Sequence, residues 1–424
     1  MNVLLIGSGA RESAIAWKLS QSTKLNKLYC SPGNSGTSKF GEGIGCLNNS
    51  ELLKFAINNK IDITVVGPEE PLNQGIADLF KENGLAIFGP SRKASRIESS
   101  KVWAKKIFKK YSIPTAESYV FENFEDASSF LKERNPKEWV IKVDGLAAGK
   151  GVFLPEDIKE SNNYLNKIFS KNIFGSAGNK IIIEEKLYGT EVSVFAMVKN
   201  NLVSNCIAAC DYKRINENDE GLNTGGMGAI SPPPFWNNSL EKKIREEIFE
   251  PTAEALVKEG SPFSGILFGG LMISNIGIKV LEFNCRFGDP ETQVLMPKIE
   301  SDILELFQKM SDPNDKSKIS IKMNKLSSVG VVIASGGYPE KYTTGYEING
   351  INENIFSTEG AIIFQGGAKY SNNGKIITDG GRVLICVGLG DSLNDAKENA
   401  YNTVDLIHFK DMNYRKDIGE NRSL

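Results

Sequence analysis

The sequence predicts a multidomain chain of α/β and α+β units, opening with a parallel α/β domain and closing with a small strand-rich one. Three observations predict it. The 424 residues exceed what one hydrophobic core organises, so roughly two to four domains are expected. Short β-branched runs alternate with helical periodicity over residues 1–100. Longer strands follow from Thr190, and again after the turn-rich SDPNDKSK at 311–318.

In the first unit, Val3 to Ile6, Lys27 to Cys30, Ile63 to Val66 and Ala86 to Phe88 are strand-like, while Arg11 to Ser22, Glu51 to Asn59 and Leu72 to Asn83 carry helical spacing. This is βαβ wiring, Rossmann-like in its alternation. It places GSGARES, SPGNSGT and VGPEEPL at the carboxyl ends of strands, where such sheets bind ligands. A second region opens with a helix at Lys101 to Tyr111, turns at Ile113 and Pro114, and runs through strand, helix and strand to about Leu187. Within it the strand Trp139 to Val143 enters the turn DGLAAGKG at 144–151 and leaves through Val152 to Leu154. Next comes a polar, aperiodic stretch from Lys213 to Pro234, of a length that is usually functional or disordered. A Pro-interrupted helical segment, Leu240 to Lys258, precedes two strands near 265–275 and 278–287. From about 326 a strand-rich α+β unit ends in a helix at Asp395 to Ile407.

Composition narrows the chemistry. Fifty Lys plus Arg against 52 Asp plus Glu leave a net charge of −2, so no global positive field exists for nucleic acid or an anionic membrane. The apolar run Val3 to Gly7 is too short for a signal-peptide core, and Gly, Ser, Pro and Asn dilute the uncharged stretch Gly260 to Ile278. Six scattered cysteines suit a reducing compartment, and the neighbours Cys206 and Cys210 make no zinc site by themselves. A cytoplasmic protein without nucleic-acid or membrane partners is expected. Its one histidine, His408, leaves no room for a His-rich metal site and offers one candidate for a triad or a His base. Lys, Arg, carboxylates and backbone dipoles must carry the reaction.

Gly7, Gly9 and Glu12 stand where GxGxxG would, but the third glycine is missing and Tyr29, Cys30 and Ser31 replace the ribose-binding acid. The turn is either a tight strand-to-helix connection or a small anion site. In DGLAAGKG three residues separate Gly145 from Gly149 and Gly151 replaces the Ser or Thr of a P-loop, so it is a flexible turn able to fold over phosphates, with Lys142 and Lys150 beside it. NTGGMG at 223–228 offers sparsely covered amides as an oxyanion cradle, or is a glycine linker. In VLEFNCRFGDPETQ, 280–293, strand alternation sets Glu282, Asn284 and Arg286 on a polar face and Leu281, Phe283, Cys285 and Phe287 on an apolar one. A carboxylate and an amide oxygen two residues apart suit magnesium, and Arg286 beside them suits a carboxylate.

Taken in order, GSGARESAIAWK, SPGN, VGPEEPL, SKVWAK, VIKVDGLAAGKGV, DYKR, NTGGMGAISP and VLEFNCRFGDPETQ resemble the phosphoribosylamine–glycine ligase family of the ATP-grasp superfamily, also called glycinamide ribonucleotide synthetases. SGGYP at 335–339 and YRKDIG at 414–419 extend the resemblance to the last unit. The resemblance implies an N-terminal substrate-binding domain over 1–100, an ATP-grasp core over 101–325 with a mobile nucleotide lid at about 115–188 and a central part at 189–325, and a C-terminal α+β domain over 326–424. It implies ATP-dependent joining of glycine to 5-phosphoribosylamine through glycyl phosphate, with magnesium or manganese, by a monomer in transient contact with the enzyme that supplies phosphoribosylamine.

By the same resemblance Lys101 and Lys142 hold nucleotide phosphates under the turn of Gly145, Gly149, Lys150 and Gly151, while Glu184, Lys186, Leu187 and Glu191 line the adenosine site. Glu282 and Asn284 bind the metal. Gly9, Arg11, Glu12, Asn34 and Glu69, with Thr224, Gly225 and Gly226, meet the substrates, and Asp211, Lys213 and Arg286 lie at the reacting groups. The chain departs from the family at Ser13 and Tyr212, where histidine is usual; Tyr212 is expected to give the substrate a hydrogen bond. Two rivals are another ATP-grasp ligase or carboxylase and a nucleotide-binding regulator without turnover.

Overall fold

The computed structural model describes residues 1–147, 151–351 and 360–420. The chain opens with a five-stranded parallel sheet in the order Glu42–Gly43, Lys27–Pro32, Asn2–Gly7, Ile63–Val66 and Ile87–Phe88. Its strands are buried on both faces by the helices that connect them, which is why they are apolar runs rather than alternating ones. The helix expected over Leu72 to Asn83 is two helices, Glu69–Asn73 and Ile76–Glu82, because Gly75 between them adopts φ +90°, which costs glycine nothing.

A four-stranded antiparallel sheet, in the order Ser118–Phe121, Ile181–Glu185, Trp139–Val143 and Val152–Phe153, spans the region expected to form the lid. Helices Phe124–Lys132 and Ile158–Phe169 cover one face, each started by an N-cap side chain, from Asn123 and Asp157. Their contact makes a separate small core of Ala127, Leu131, Ile141, Val143, Leu165, Ile168, Ile181 and Ile183. The other face of the sheet is left for the cleft.

Central and C-terminal strands share one antiparallel sheet, in the order Gly277–Asn284, Ser264–Ser274, Thr190–Lys199, Ile207–Asp211, Gly228–Ser231, Ser327–Ser335, Arg382–Gly390 and Ala361–Gln365. The pairing of Gly228–Ser231 with Ser327–Ser335 carries the sheet across residue 326. The helical segment at Leu240 to Lys258 contains a π turn over Arg245–Phe249 just before Pro251. Proline has no N–H to give, and the widened turn accommodates the lost bond without breaking the helix. Helix Leu393–Val404 ends before His408, which lies in an exposed bridge with Asn349 rather than in the helix.

The lid core is small and separate from the two large ones. Leu165→Ala should cost about 2–5 kcal/mol locally, so hydrogen exchange should accelerate in the lid strands while the central sheet keeps its protection. Equal loss of protection in both would show that the lid does not unfold as its own unit.

Candidate active site

Strand alternation builds the cleft. In Trp139–Val143, Ile141 and Val143 point into the lid core, so Val140 and Lys142 point the other way; in Ile181–Glu185, Ile182 and Glu184 do the same. Lys142 forms an ion pair with Glu184, and Lys105 of helix Lys101–Lys110 meets the second oxygen of Glu184 at 2.7 Å. Burial opposes the charge on Glu184, yet Lys142 and Lys105 outweigh it and hold the carboxyl below its ordinary range. Burial likewise opposes the Lys142 charge, and Glu184 and Glu282 outweigh it, raising the ammonium. For Lys105 burial wins and its affinity for a proton falls.

The opposite wall is Gly277–Asn284, where a bulge interrupts pairing with the next strand: Gly270 opposes Glu282 but Leu271 opposes Val280. The extra residue is Leu281. A bulge turns successive side chains toward one face, so Leu281 lines the cleft beside Glu282 instead of packing with Phe283, Cys285 and Phe287 as simple alternation requires. Burial opposes ionisation of Glu282, but Lys101, Lys142, Lys213 and Arg286 overcome it and keep the carboxylate charged.

Two adjoining cavities share Lys142, Val152, Glu184, Leu281 and Glu282. The first, ≈ 170 Å³, brings Lys101, Lys142, Gly151, Glu282, Asn284 and Arg286 together with Glu69 and Glu98. The second, ≈ 350 Å³, has an apolar wall of Val140, Val152, Leu154, Met272 and Leu281 and a polar rim that includes Lys186, Leu187, Glu191, Asp211 and Lys213. Lys213 is paired with Glu191; burial opposes its charge, and Glu191 and Asp211 raise the ammonium well above its usual range. A third cavity, ≈ 430 Å³, lies between the first and last domains and is lined by Gly9, Asn34, Asp289, Gly367, Lys369 and Arg382 among others. Lys369 is paired with Asp379 at 2.9 Å, and Arg382 reaches Asp289 at 3.3 Å.

Several expected site residues stand elsewhere. Glu12 is 1% exposed and caps its own helix by accepting the Gly9 amide at 2.7 Å, while Arg11 pairs with it at 2.6 Å and donates to the Phe287 carbonyl at 3.1 Å. Both lie beneath the loop, not in the cavity. Gly145 packs on Ala177, where a Cβ would stand 2.7 Å from that methyl. Gly149 and Lys150 lie outside the described residues. The oxyanion cradle at NTGGMG is not available: the amides of Thr224, Gly225, Gly226 and Met227 donate to Lys213 O, Tyr338 Oη, Thr224 Oγ1 and Tyr212 O. Tyr212 is 2% exposed and its hydroxyl donates to the Glu420 carbonyl at 2.9 Å, so it faces the C-terminal segment and has no hydroxyl to offer a substrate. Ser13 is buried with its hydroxyl unpartnered, 1% exposed.

Arg286 is more engaged than its sequence position suggests. It donates from Nε to Glu69 at 3.0 Å, from Nη1 to the Phe287 carbonyl at 3.2 Å and from Nη2 to Asn284 at 3.3 Å, and Nη2 also meets Glu98 at 3.1 Å. Glu98 further accepts the backbone amide and thiol of Cys285 at 2.8 and 2.9 Å, fixing the backbone between Asn284 and Arg286. Sequence reasoning missed Lys105, Glu98, Asp289, Glu291, Lys369, Asp379 and Arg382. Asp289 and Glu291 sit inside VLEFNCRFGDPETQ and Lys105 ends SKVWAK, both already singled out, and the glycine pair before Arg382 marks a turn; Glu98 gives no signal short of the fold.

Glu291 is 4% exposed and accepts a hydrogen bond from Ser193 at 2.8 Å. Burial first, then the charge of Asp211, push its carboxyl up to about 7. A folded-state value above the unfolded 4.5 means that its contribution to stability is full below 4.5 and is lost as pH rises through about 7. The melting temperature should therefore decline from pH 5 to 8, and Glu291→Gln should flatten that decline. Parallel curves for the two proteins would remove Glu291 from the titration.

Three family models match the chain: the phosphoribosylglycinamide synthetase N domain at residues 1–98, its ATP-grasp (A) domain at 99–292 and its C domain at 328–421. The chain is 45% identical over 426 residues to phosphoribosylamine–glycine ligase of Caldanaerobacter subterraneus subsp. tengcongensis, covering 99% of each. It is 41% identical over 424 residues to the Escherichia coli (strain K12) protein of that name, covering 99% of this chain and 98% of the relative. The crystal structure of phosphoribosylamine–glycine ligase from Thermotoga maritima superposes with a TM-score of 0.85 at 33% identity, over 99% of this chain and all of that one (100%). Biotin carboxylase from Campylobacter jejuni shares the fold alone, with a TM-score of 0.72 at 15% identity over 99% and 94% of the two chains. On this cleft, these three domains and this likeness along its whole length, the chain belongs to the phosphoribosylglycinamide synthetase family.

Proposed function

We propose that the chain is an ATP-dependent carbon–nitrogen ligase that joins glycine to 5-phosphoribosylamine, yielding glycinamide ribonucleotide, ADP and phosphate in de novo purine biosynthesis. One observation carries the reading. The single run 280–293 walls all three cavities: Leu281 and Glu282 line the first two, Asn284 and Arg286 the first, and Asp289 the third. A nucleotide and a second substrate held on either side of that run meet along it.

In this reading the apolar wall of Val140, Leu154, Met272 and Leu281 takes the adenine, with Glu184, Lys186, Leu187 and Glu191 around the adenosine, and the phosphates extend toward Lys142 and Lys101. An ionised carboxylate and a neutral amide oxygen opening onto the phosphate cavity are a donor set that fits magnesium or manganese, so Glu282 and Asn284 would hold the metal, leaving its other positions to phosphate oxygens and water. Bound there, the ion would neutralise charge on the transferring phosphoryl group. Lys369 and Arg382, with Gly9 and Asn34, would grip the phosphate and ribose of phosphoribosylamine.

The glycine carboxylate takes the γ-phosphoryl group: a C–O–P linkage forms as the bond to the β-phosphate oxygen breaks, releasing ADP. The amine of phosphoribosylamine then attacks the carbonyl carbon, the C–O bond to phosphate breaks, and the nitrogen loses a proton. Lys142 and Lys213 supply fixed positive charge, Asp211 lies beside Lys213 and Glu191, and the lid excludes water from the acyl phosphate. The six cysteines are all free and, among the described residues, no helix is long and apolar enough to cross a membrane. The free cysteines suit the further reading of a cytoplasmic protein, while a monomer in transient contact with its phosphoribosylamine-supplying enzyme rests on the family resemblance alone.

ADP release should require glycine and phosphoribosylamine together; a full rate with glycine alone, or with bicarbonate in its place, would replace this reading with a wasteful ATPase or a carboxylase. Glu282→Ala should raise the magnesium requirement and lower kcat, whereas Asn284→Asp, which keeps a hard oxygen, should be milder. Unaltered magnesium titrations in both would remove these residues from the metal site.

A further inference from the structure

YRKDIG at 414–419 lines none of these three cavities, and the chemistry above leaves it without work. The structure places Arg415 among the largest fully buried side chains, 2% exposed. Its Nε and Nη2 donate to the two oxygens of Asp417 at 2.7 and 2.6 Å. Its Nη1 donates to the Arg214 carbonyl at 3.1 Å and to Asp219 at 2.9 Å. The guanidinium lies 5.1 Å from the Tyr212 ring centroid. Asp417 accepts the Asn218 amide at 2.9 Å, and Glu217 accepts the Lys416 amide at 3.3 Å. From the other side Tyr212 donates to the Glu420 carbonyl and accepts the Gly419 amide at 3.0 Å.

Four of these bonds, at Arg214, Glu217, Asn218 and Asp219, end on one short element. The hairpin of Arg214–Asn216 and Glu220–Asn223 is a two-stranded sheet of its own, exposed along most of its length. A lone hairpin is marginal in water. At its tip Asn218 and Asp219 both take positive φ, +57° and +56°, a left-handed turn that Asn and Asp tolerate and that their neighbours fix in place. Here the neighbours are Asp417 on the Asn218 amide and Arg415 on the Asp219 carboxylate. The same hairpin joins Asp211 and Lys213 to Thr224 and Gly225, and its own Arg214, Asp219 and Asn223 line the larger nucleotide-side cavity.

We propose that Arg415 and Asp417 are positioning residues for the ligation: the C-terminal segment holds the 214–223 hairpin in the form that sets Asp211 and Lys213 against the reacting groups. Tyr212 belongs to the same clamp. The proposal rests on the ligase reading for its catalytic consequence, while its structural half concerns the hairpin alone.

Arg415→Lys keeps the charge but not the fork, and Asp417→Asn keeps the shape but not the charge. Each should fold, as read by melting temperature, and lose about tenfold in kcat while KM for ATP stays within about twofold, because orientation rather than nucleotide affinity is lost. The double variant should lose no more than the worse single one, since one network is broken once. Hydrogen exchange at 214–223 should quicken in every variant, a readout that needs no turnover and separates failure of the clamp from failure of the ligase reading. If Arg415→Lys does not fold, Asp219→Asn, altered on a side chain that is 50% exposed, carries the test with the same expected loss of kcat. Folded variants with faster hairpin exchange and unchanged kcat would overturn the positioning role, and unchanged exchange would overturn the clamp itself.

Discussion

Five lysines line one cleft, and the architecture depends on how the charge of four of them is held. Lys142 and Lys105 share Glu184, Lys213 has Glu191, and Lys101 lies across the cavity from the ionised Glu282. Removing ammonium groups from water is costly unless carboxylates meet them. Each carboxylate here comes from a different element than its lysine, so neutralisation also ties the lid strand Ile181–Glu185 to the helix at Lys101–Lys110 and the loop at Lys213 to the strand Thr190–Lys199. A polyanionic ligand entering such a site finds positive charge already fixed in place, with little reorganisation left to do.

That balance explains which parts of the site were legible in the sequence. Alternation in VIKV and IIIEE is enough to turn Lys142 and Glu184 to the same side, because both strands are regular and each has an apolar face to bury. The same rule fails at Leu281, where pairing with Gly270 and Leu271 slips by one residue; a bulge depends on the partner strand and leaves no mark in its own sequence. The parallel sheet was readable for the same reason as the lid strands, and the helix break at Gly75 was missed because the apolar spacing continues across it.

What stayed hidden is what tertiary contact alone creates. Glu98 and Cys285 are 187 positions apart, yet one carboxylate fixes the backbone between Asn284 and Arg286. Lys369 and Arg382 reach the third cavity only because the C-terminal strands return to the N-terminal domain at Gly366 and Gly367. Glycine-rich motifs misled in the opposite direction. NTGGMG looks open in sequence, but its glycines make room for Arg382 and Pro290 rather than for a ligand, and its amides are spent on neighbouring carbonyls and hydroxyls.

Arg286 shows how the pieces constrain one another. Three of its five N–H donors are hydrogen-bonded, to Glu69, Phe287 and Asn284 at 3.0–3.3 Å, and Nη2 also lies 3.1 Å from Glu98. A forked grip on a substrate carboxylate therefore needs one acceptor to leave. Glu98 has a side chain only 6% exposed and two further bonds to Cys285, whereas Glu69 is 31% exposed and holds Arg286 through one. The exchangeable partner is Glu69, at the first turn of the helix that follows strand Ile63–Val66 of the N-terminal sheet. The arginine that sequence pattern assigns to substrate is thus a junction between the N-terminal domain and the strand that ends at Asn284, and whatever binds it must compete with the contact that joins them.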